Sequence, residues 1–321
     1  MLFKARDESS AILLDQIEEF GDMSNFSAVI NRLNALEGAY APSTLKALHA
    51  TAKRYALSVP QGLDTAFPIT PDRVVHFIES ISTTIRPRTI QHMVQHLQFI
   101  QKLSGWPPFH RDIKVRHALK KEYRKHGSAQ RQVFGITHEL RDAMIEATDT
   151  ESLAGCMERA LIRTGYETLF RGQELRQLCF ENLKPRSDGS LLIHLPHSKT
   201  DPCWNGFWTV VSPTCKTLIQ QWQAASGLRR GIIFRQIRDD MVSDQQLTKR
   251  NHLKRYRELA KATGLPDALA NQIGTHSMRV GGAQDMLKYG YSMAQIMRRG
   301  NWQRPEMVAR YTEATALQPM F

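Results

Sequence analysis

The sequence has 321 residues, 41% of them hydrophobic, with 43 lysines and arginines against 31 acids and a formal net charge of +12. That length predicts two domains of roughly 150 residues each, and the apolar fraction excludes a disordered chain. No window reaches the roughly 20 unbroken apolar residues of a membrane span, the N-terminal MLFKARDESS lacks the pattern of a secretion signal, and the surplus of positive charge predicts a polyanionic partner, nucleic acid first. A membrane surface would also attract a basic chain, but here the basic residues are spread over many segments rather than gathered in one amphipathic anchor. Cys156, Cys179, Cys203 and Cys215 show no CxxC spacing, which predicts reduced thiols in a cytoplasmic setting and no zinc. The 12 histidines show no metal-ligand spacing either, so no metal is expected.

Residues up to about Lys125 read as almost entirely helical. Ser43 is a candidate N-cap for a helix running to about Ser58, with Leu45, Leu48, Ala52 and Tyr55 at helical spacing. A helix between Thr70 and Ser82 packs Val74, Val75, Phe77 and Ile78. Another starts near Pro87, a residue suited to a first turn, carries the stripe Ile90, Met93, Val94, Leu97 and Ile100, and stops before Gly105. The polar run from His126 to Val133 has no periodicity and is expected to be a linker. Beyond it come helices over about Glu139–Ala147 and Ser152–Thr164. Strands follow at Ser190–His197 and Phe207–Pro213, divided by a turn-rich loop, and helices then run to the C-terminus. The organisation expected is mainly α with two domains: a helical 1–125, a linker 126–134, and a mixed α/β 135–321 whose helices surround a small antiparallel sheet.

The chemistry lies in the last third, in GTHSMRVGGAQDMLKYGYSMAQIMRRGNWQRPEMVARYTE. Thr275 is a candidate cap for a helix holding His276 and Arg279, and residues three apart share a helix face, so an imidazole and a guanidinium can meet one phosphate. A planar guanidinium clamps phosphate oxygens bidentately. Val280, Ala283 and Leu287 fall where they anchor that helix in a core. Gly300 ends the next helix, Trp302 follows, and Pro305 opens a last helix bearing Met307, Val308 and Tyr311. Any one of these residues alone is ordinary: a surface His-x-x-Arg pair, a core Trp, a half-buried Tyr. Their order over the span 276–311 is the specific signal.

H-x-x-R, then G-x-W, then a tyrosine nine residues beyond the tryptophan resembles the C-terminal signature of the tyrosine recombinase (phage integrase) family, and the Trp in place of a second His resembles its Cre-like branch. Upstream, RTGYETLFRGQELRQLCFENL is similar to the segment bearing the family's first catalytic arginine and its supporting acid, at Arg171 and Glu174. In SLLIHLPHSKTDPCW, the resemblance places a catalytic lysine at Lys199. The likeness spans about Gly135 to Glu313, while the helical N-terminal part resembles the family's core-binding domain in length and layout. It implies a site-specific recombinase that cuts DNA with Tyr311 through a 3′-phosphotyrosine, exchanges strands through a Holliday junction, and needs neither metal nor nucleotide cofactor. Arg171 and Arg279 would hold the phosphate, His276 would take the tyrosine proton, Lys199 would protonate the leaving 5′ oxygen, and Trp302 would bond or buttress the phosphate site. The implied partner is double-stranded DNA with paired inverted half-sites, bound by a homotetramer in a prokaryotic cytoplasm, at the nucleoid, a phage or a plasmid. With no room for an arm-binding domain ahead of the core, a Cre-like resolvase or a simple integrase is expected.

A basic helix from Leu247 to Lys261, with Leu253 inward and Lys249, Arg250, Lys254, Arg255 and Arg257 outward, is expected to contact DNA. Lys46, His49 and Lys53 on one N-terminal helix, with Arg86, Arg88, Gln91 and Gln95 on another, are candidates for the same duplex. Tyr289 and Tyr291 are expected to pack rather than react, as are Trp204 and Trp208, and His194 and His197 are expected to be structural as readily as phosphate-binding. Two departures from the family stand out: only residues 312–321 follow Tyr311, and Gly172 follows Arg171 where a larger residue is usual. Rival readings are a type IB topoisomerase or telomere resolvase, and an inactive sequence-specific DNA-binding protein.

Overall fold

The computed structural model describes residues 26–59, 66–127, 132–196 and 206–316, with side chains through 313. The chain divides into two compact units, Met1–Gln130 and Arg131–Phe321. Among the described residues, no helix is long and apolar enough to cross a membrane.

The first unit is helical: α1 (Phe26–Asn34), α2 (Pro42–Ser58), α3 (Pro71–Ile81), α4 (Pro87–Leu103) and α5 (Ile113–His126). Proline opens α2, α3 and α4, where its missing N–H costs no hydrogen bond and its fixed φ suits a first turn. At α2 this displaces the expected cap: the N-cap is Ala41, without a side-chain bond, and Ser43 lies inside the helix. Thr70 and Asp112 do cap α3 and α5 through their side-chain oxygens. Leu48, Ala52 and Tyr55 of α2 meet Phe77 and Ile78 of α3 and Ile90, Leu97 and Ile100 of α4 in one buried core. Each such large side chain contributes on the order of 2 kcal/mol by leaving water. Tyr55 sits edge-on to both Phe67 and Phe77 and donates its hydroxyl to the Ala66 carbonyl at 3.2 Å, so truncating it would cost about 3–5 kcal/mol. The helix α5 runs through His126, into the stretch expected to be linker.

The second unit contains α6 (His138–Glu146), α7 (Leu153–Thr168), α8 (Gly172–Arg176), β1 (Leu183–Pro185), β2 (Leu191–Leu195), β3 (Phe207–Val211), α9 (Pro213–Ser226), β4 (Arg235–Arg238), β5 (Met241–Gln246), α10 (Lys249–Ala262), α11 (Asp267–Ala270), α12 (Ser277–Lys288), α13 (Met293–Arg299) and α14 (Pro305–Ala316). The sheet is antiparallel in the order β1–β2–β3, with Leu191 opposite Val211 and Ile193 opposite Thr209. Alternation in β2 buries Leu191, Ile193 and Leu195, as a half-covered strand requires. Pro213, expected at a strand end, instead opens α9 behind the Ser212 cap.

The expectation of uninterrupted helices after β3 is wrong, because β4 and β5 form a hairpin ahead of α10. Its turn is Asp239–Asp240, both at positive φ (49° and 53°), a conformation that aspartate tolerates better than most residues. Nor is Leu253 the inward anchor of α10. It is half-buried, while His252, Tyr256, Leu259 and Ala260 form the buried face. The main core of this unit gathers α7, α9, the sheet and α10 around Trp222, whose indole N–H donates to the Ile233 carbonyl at 2.8 Å. A smaller cluster of Leu169, Ala283, Ile296, Trp302 and Val308 lies beneath the chemistry, with Tyr311 packed against it.

Candidate active site

Four segments of the second unit converge. The α7 helix ends at Leu169, whose backbone is left-handed (φ 53°). This turns its carbonyl toward α12, where it accepts from Nη1 of Arg279. Arg171, two residues on, is the N-cap of α8, and Glu174 closes the turn: its carboxylate accepts from the Arg171 N–H at 2.7 Å and from Arg171 Nη1 at 2.7 Å. Glu174 is buried, with Arg171 partly open above it.

The expected cap at Thr275 is not what starts α12. His276 occupies the N-cap position and the helix runs from Ser277, because the Ser277 hydroxyl accepts from the Gly274 N–H at 2.9 Å and so bends the entering chain. Thr275 packs instead on Gly172, which explains the unusual glycine: a Cβ there would lie 2.6 Å from Thr275 Cβ and 2.8 Å from the Thr275 carbonyl oxygen. Only glycine permits this approach of the Arg171 segment to the His276 segment.

Arg279 is 2% exposed and its guanidinium stacks 3.9 Å from the Trp302 ring centroid. Its Nε and Nη2 are buried and have no hydrogen-bond partner among the described residues. Burial, then the neighbouring charge of Arg171, lowers its pKa to about 9, while Glu174 and Tyr311 pull the other way. A buried cation with two idle donors is costly unless an anion completes it. Trp302 is itself 6% exposed, so it serves as the wall that fixes the guanidinium plane.

The Tyr311 hydroxyl stands 3.1 Å from His276 Nε2. Its α14 backbone is held to α12 and to the unit's first residues, since the Tyr311 carbonyl accepts from Gln284 Nε2 at 3.1 Å and Gln132 Nε2 at 3.0 Å. Burial, then the charges of Arg279 and Arg171, drive His276 down to about 4, with Glu174 opposing. The imidazole is therefore neutral at pH 7 and able to accept a proton. Gln132, Gln284 and the Leu169 carbonyl were not legible in the sequence, since they act through geometry that only the fold creates. Lys199 lies between β2 and β3, outside the described residues, as do His197 and Trp204.

Other candidates fall elsewhere. His194 stacks on Trp208 at 4.3 Å between ring centroids, with the Lys184 ammonium 4.8 Å from the Trp208 centroid; Trp208 thus lies in an exposed stack on the sheet rather than in the core. Tyr289 and Tyr291, expected to pack, are exposed, because Gly290 (φ 80°) turns the chain out after α12; the Tyr289 hydroxyl meets the His138 ring. His138, Glu139 and Asp285 lie close enough to resemble a cation site. Asp285, however, already accepts from the His138 N–H at 2.7 Å and the Tyr166 hydroxyl at 2.5 Å, and Lys288 approaches Glu139, so the cluster is a brace between α6 and α12.

On α10, Lys249, Arg250 and Lys254 are exposed. Arg255 and Arg257 are not, which corrects the expectation of five outward charges. Arg255 pairs with the largely buried Glu158 of α7, and Arg257 donates to the Asn271 and Ile273 carbonyls at 2.7 and 3.0 Å. In the first unit, Lys46, Lys53, Arg86, Arg88 and Gln95 are exposed, while His49 and Gln91 are half-buried. The DNA-contact candidates named above include none from α5, whose His117, Lys120, Lys121, Arg124 and Lys125 line an open cationic hollow of about 640 Å³.

Residues 135–317 match the model of the phage integrase family. The chain belongs to that family. It is a site-specific recombinase of the tyrosine type. It is 26% identical over 288 residues to an integrase/recombinase XerD homolog of Selenomonas ruminantium, covering 87% of this chain and 83% of the relative. Against the recombinase Cre of Escherichia phage P1, it is 23% identical over 298 residues, 85% and 84% of the two chains. A XerH site-specific recombinase solved on a palindromic difH substrate superposes with a TM-score of 0.64 at 12% identity, over 97% of this chain and 86% of that one. A lambda integrase dimer bound to a core site gives 0.63 at 13% identity, over 98% and 90%. At such identities the superpositions show the fold, mainly helical with a small antiparallel sheet.

Proposed function

We propose that this recombinase cleaves a DNA strand with Tyr311 and reseals it through a 3′-phosphotyrosine, exchanging strands between two sites by way of a Holliday junction. The observation that carries the reading is the Tyr311 hydroxyl 3.1 Å from His276 Nε2, beside the buried Arg279, whose Nε and Nη2 have no partner among the described residues. The scissile phosphate would bring its non-bridging oxygens to Arg171 and Arg279, whose charges offset the negative charge that grows as phosphorus becomes five-coordinate. His276 Nε2 would take the phenolic proton as the oxygen attacks, since a phenol that keeps its proton is a poor nucleophile. The P–O5′ bond breaks, Lys199 supplies the proton for the departing 5′-hydroxyl, and reversal of the steps rejoins the strand. Because the phosphotyrosine conserves the bond, no nucleotide is consumed. Glu174 would hold Arg171 in its rotamer, and Trp302 would act as a buttress for Arg279.

The first unit and α10 would grip the duplex, Lys249, Arg250 and Lys254 in one place and Lys46, His49, Lys53, Arg86, Arg88, Gln91 and Gln95 in another. Domain limits of 1–125 and 135–321, inverted half-sites, a homotetramer and a prokaryotic cytoplasmic setting on nucleoid, phage or plasmid DNA belong to the same proposal. The test is Tyr311→Phe on a nicked suicide substrate. The variant should bind the site as the parent does and form no covalent adduct; persisting adducts would overturn the assignment of Tyr311. A two-site plasmid then separates strand exchange from relaxation or hairpin formation by a topoisomerase-like or resolvase-like enzyme.

A further inference from the structure

Two side chains of α4 have their hydrogen-bonding polarity decided by neighbours within the protein. Gln91 Oε1 lies 3.2 Å from Arg88 Nη1 and 2.6 Å from the Tyr123 hydroxyl of α5. A guanidinium only donates, so the Gln91 atom that faces it is the carbonyl oxygen and the amide cannot be flipped. That oxygen has two lone pairs, and Arg88 and Tyr123 occupy both. Gln91 is left with its NH2 group.

His96 is fixed in the opposite sense. The Thr51 hydroxyl of α2 donates to the Ala47 carbonyl at 2.9 Å and lies 2.9 Å from His96 Nδ1. A hydroxyl has a single proton, already spent on Ala47, so Nδ1 must be the donor to Thr51. Burial, then the charge of His92, lowers the His96 pKa and keeps the ring neutral. In a neutral ring protonated at Nδ1, Nε2 is an acceptor.

We infer that α4 reads base edges with fixed polarity, Gln91 as a donor only and His96 as an acceptor only. This deepens the proposed function and rests on α4 lying against DNA, as its exposed Arg88, His92 and Gln95 suggest. A glutamine normally favours adenine by a bidentate contact that uses both its oxygen and its nitrogen. With the oxygen engaged, Gln91 loses that option: its NH2 group meets two acceptors on guanine (N7 and O6), one on thymine (O4), and on adenine only N7, beside an N6 donor that it can no longer pair. His96 takes a donor edge, cytosine N4 or adenine N6. Five residues separate the two, about 7.5 Å along the helix axis and about 140° around it, so they would address different base pairs. Tyr123 and Thr51 are positioning residues that set specificity without touching a base.

The experiment is selection of bound sequences from a library randomised across the half-site, with the full chain. Gln91→Ala and His96→Ala locate the two positions. At the Gln91 position, the parent should favour guanine or thymine over adenine. Tyr123→Phe, which reopens one lone pair on the oxygen, should raise acceptance of adenine about tenfold there and nowhere else. Thr51→Val should relax the His96 position toward guanine and thymine, while Thr51→Ser, which keeps the hydroxyl, should select as the parent does; thermal unfolding confirms that each variant is folded. If the parent prefers adenine at the Gln91 position, or if Tyr123→Phe selects as the parent does while Gln91→Ala does not, the polarity claim is overturned and the DNA contact stands. If neither alanine variant alters the selected sequence or the affinity, α4 does not read bases, and the α4 part of the proposed function falls with the inference.

Discussion

Arg279→Met separates what the site does for folding from what it does for catalysis. At 2% exposure the guanidinium is desolvated, and its pKa of about 9 lies below the ordinary 12.5. In the folded state the charged form is therefore the disfavoured one. This cost is fully present at pH 7 and is relieved only as pH rises from about 9 toward 12.5. At about 1.4 kcal/mol per pH unit it is on the order of 5 kcal/mol. Methionine removes the charge but forfeits the stacking on Trp302, about 2 kcal/mol for a desolvated cation–π pair. It also orphans the Leu169 carbonyl, about 1–3 kcal/mol. The DNA-free variant should thus be as stable as the parent or up to about 2 kcal/mol more so, where an ordinary large-residue change in a core destabilises. For a unit of this size each kcal/mol moves Tm by about 2–4 °C. Cleavage of a nicked substrate, by contrast, should slow about 100- to 1,000-fold, the loss typical of removing one preorganised donor to a developing anion. Calorimetry and single-turnover cleavage measure the two effects. A Tm lowered by more than about 6 °C, or cleavage within about tenfold of the parent, would refute the view of Arg279 as a strained, phosphate-seeking cation.

Two buried imidazoles, His276 at about 4 and His252 at about 3, have folded pKa values below the unfolded 6.5, so stability should fall as pH drops below about 6.5 and keep falling to about 4 and 3. His276→Gln should flatten part of that acid-side loss in a pH series of melting curves. Gly172→Ala forces a Cβ against the Thr275 carbonyl. It should cost about 1–3 kcal/mol and slow cleavage more than it weakens binding, as read from adduct formation against Kd. Ala in place of Lys249, Arg250 or Lys254 should each reduce the slope of log K against log salt by about one with no change in Tm. Arg255→Ala should instead leave the slope unchanged and lower Tm, because it strands the carboxylate of Glu158; equal slopes for all four variants would contradict the division of α10 into DNA-facing and protein-facing charges.

Much of this was legible in the chain because the informative residues sit on long helices with a clear period. The stripe Ile90, Val94, Leu97, Ile100 gave α4 its buried face, and Pro87 and Pro305 marked helix starts. The order His276, Arg279, Trp302, Tyr311 pointed to one site, and the fold brings all four together. What escaped was set by tertiary context. The β4–β5 hairpin turns on two aspartates rather than on Asn-Gly or Asp-Gly, the usual signals. Arg255 and Arg257 read as solvated because a charge pattern does not reveal that Glu158, 97 residues earlier, waits on the neighbouring helix. Gly172 looked anomalous for the same reason, its constraint being the Thr275 backbone about a hundred positions away.

The site is assembled in a state that the protein alone does not favour. Arg279 is buried, with Nε and Nη2 unpartnered among the described residues, Arg171 and Arg279 both depress the pKa of His276 while Arg171 also depresses that of Arg279, and Gly172 is needed so that the Arg171 and His276 segments can approach. Helices α7, α12 and α14 enforce this through the packed cluster of Leu169, Ala283, Trp302 and Val308, whose burial offsets the electrostatic cost. A phosphate diester entering such a site would meet donors that need no reorganisation, and its charge would remove the penalty they carried. On the proposed mechanism the same anion would gain further charge as Tyr311 attacks, so the interaction would strengthen toward the transition state, which is the condition for catalysis rather than mere binding. A surface cluster of the same cations, solvated and free to relax, would bind DNA as well and cleave it far more slowly. On this reading the helices of the second unit would contribute to the rate by keeping these charges close together when no DNA is present.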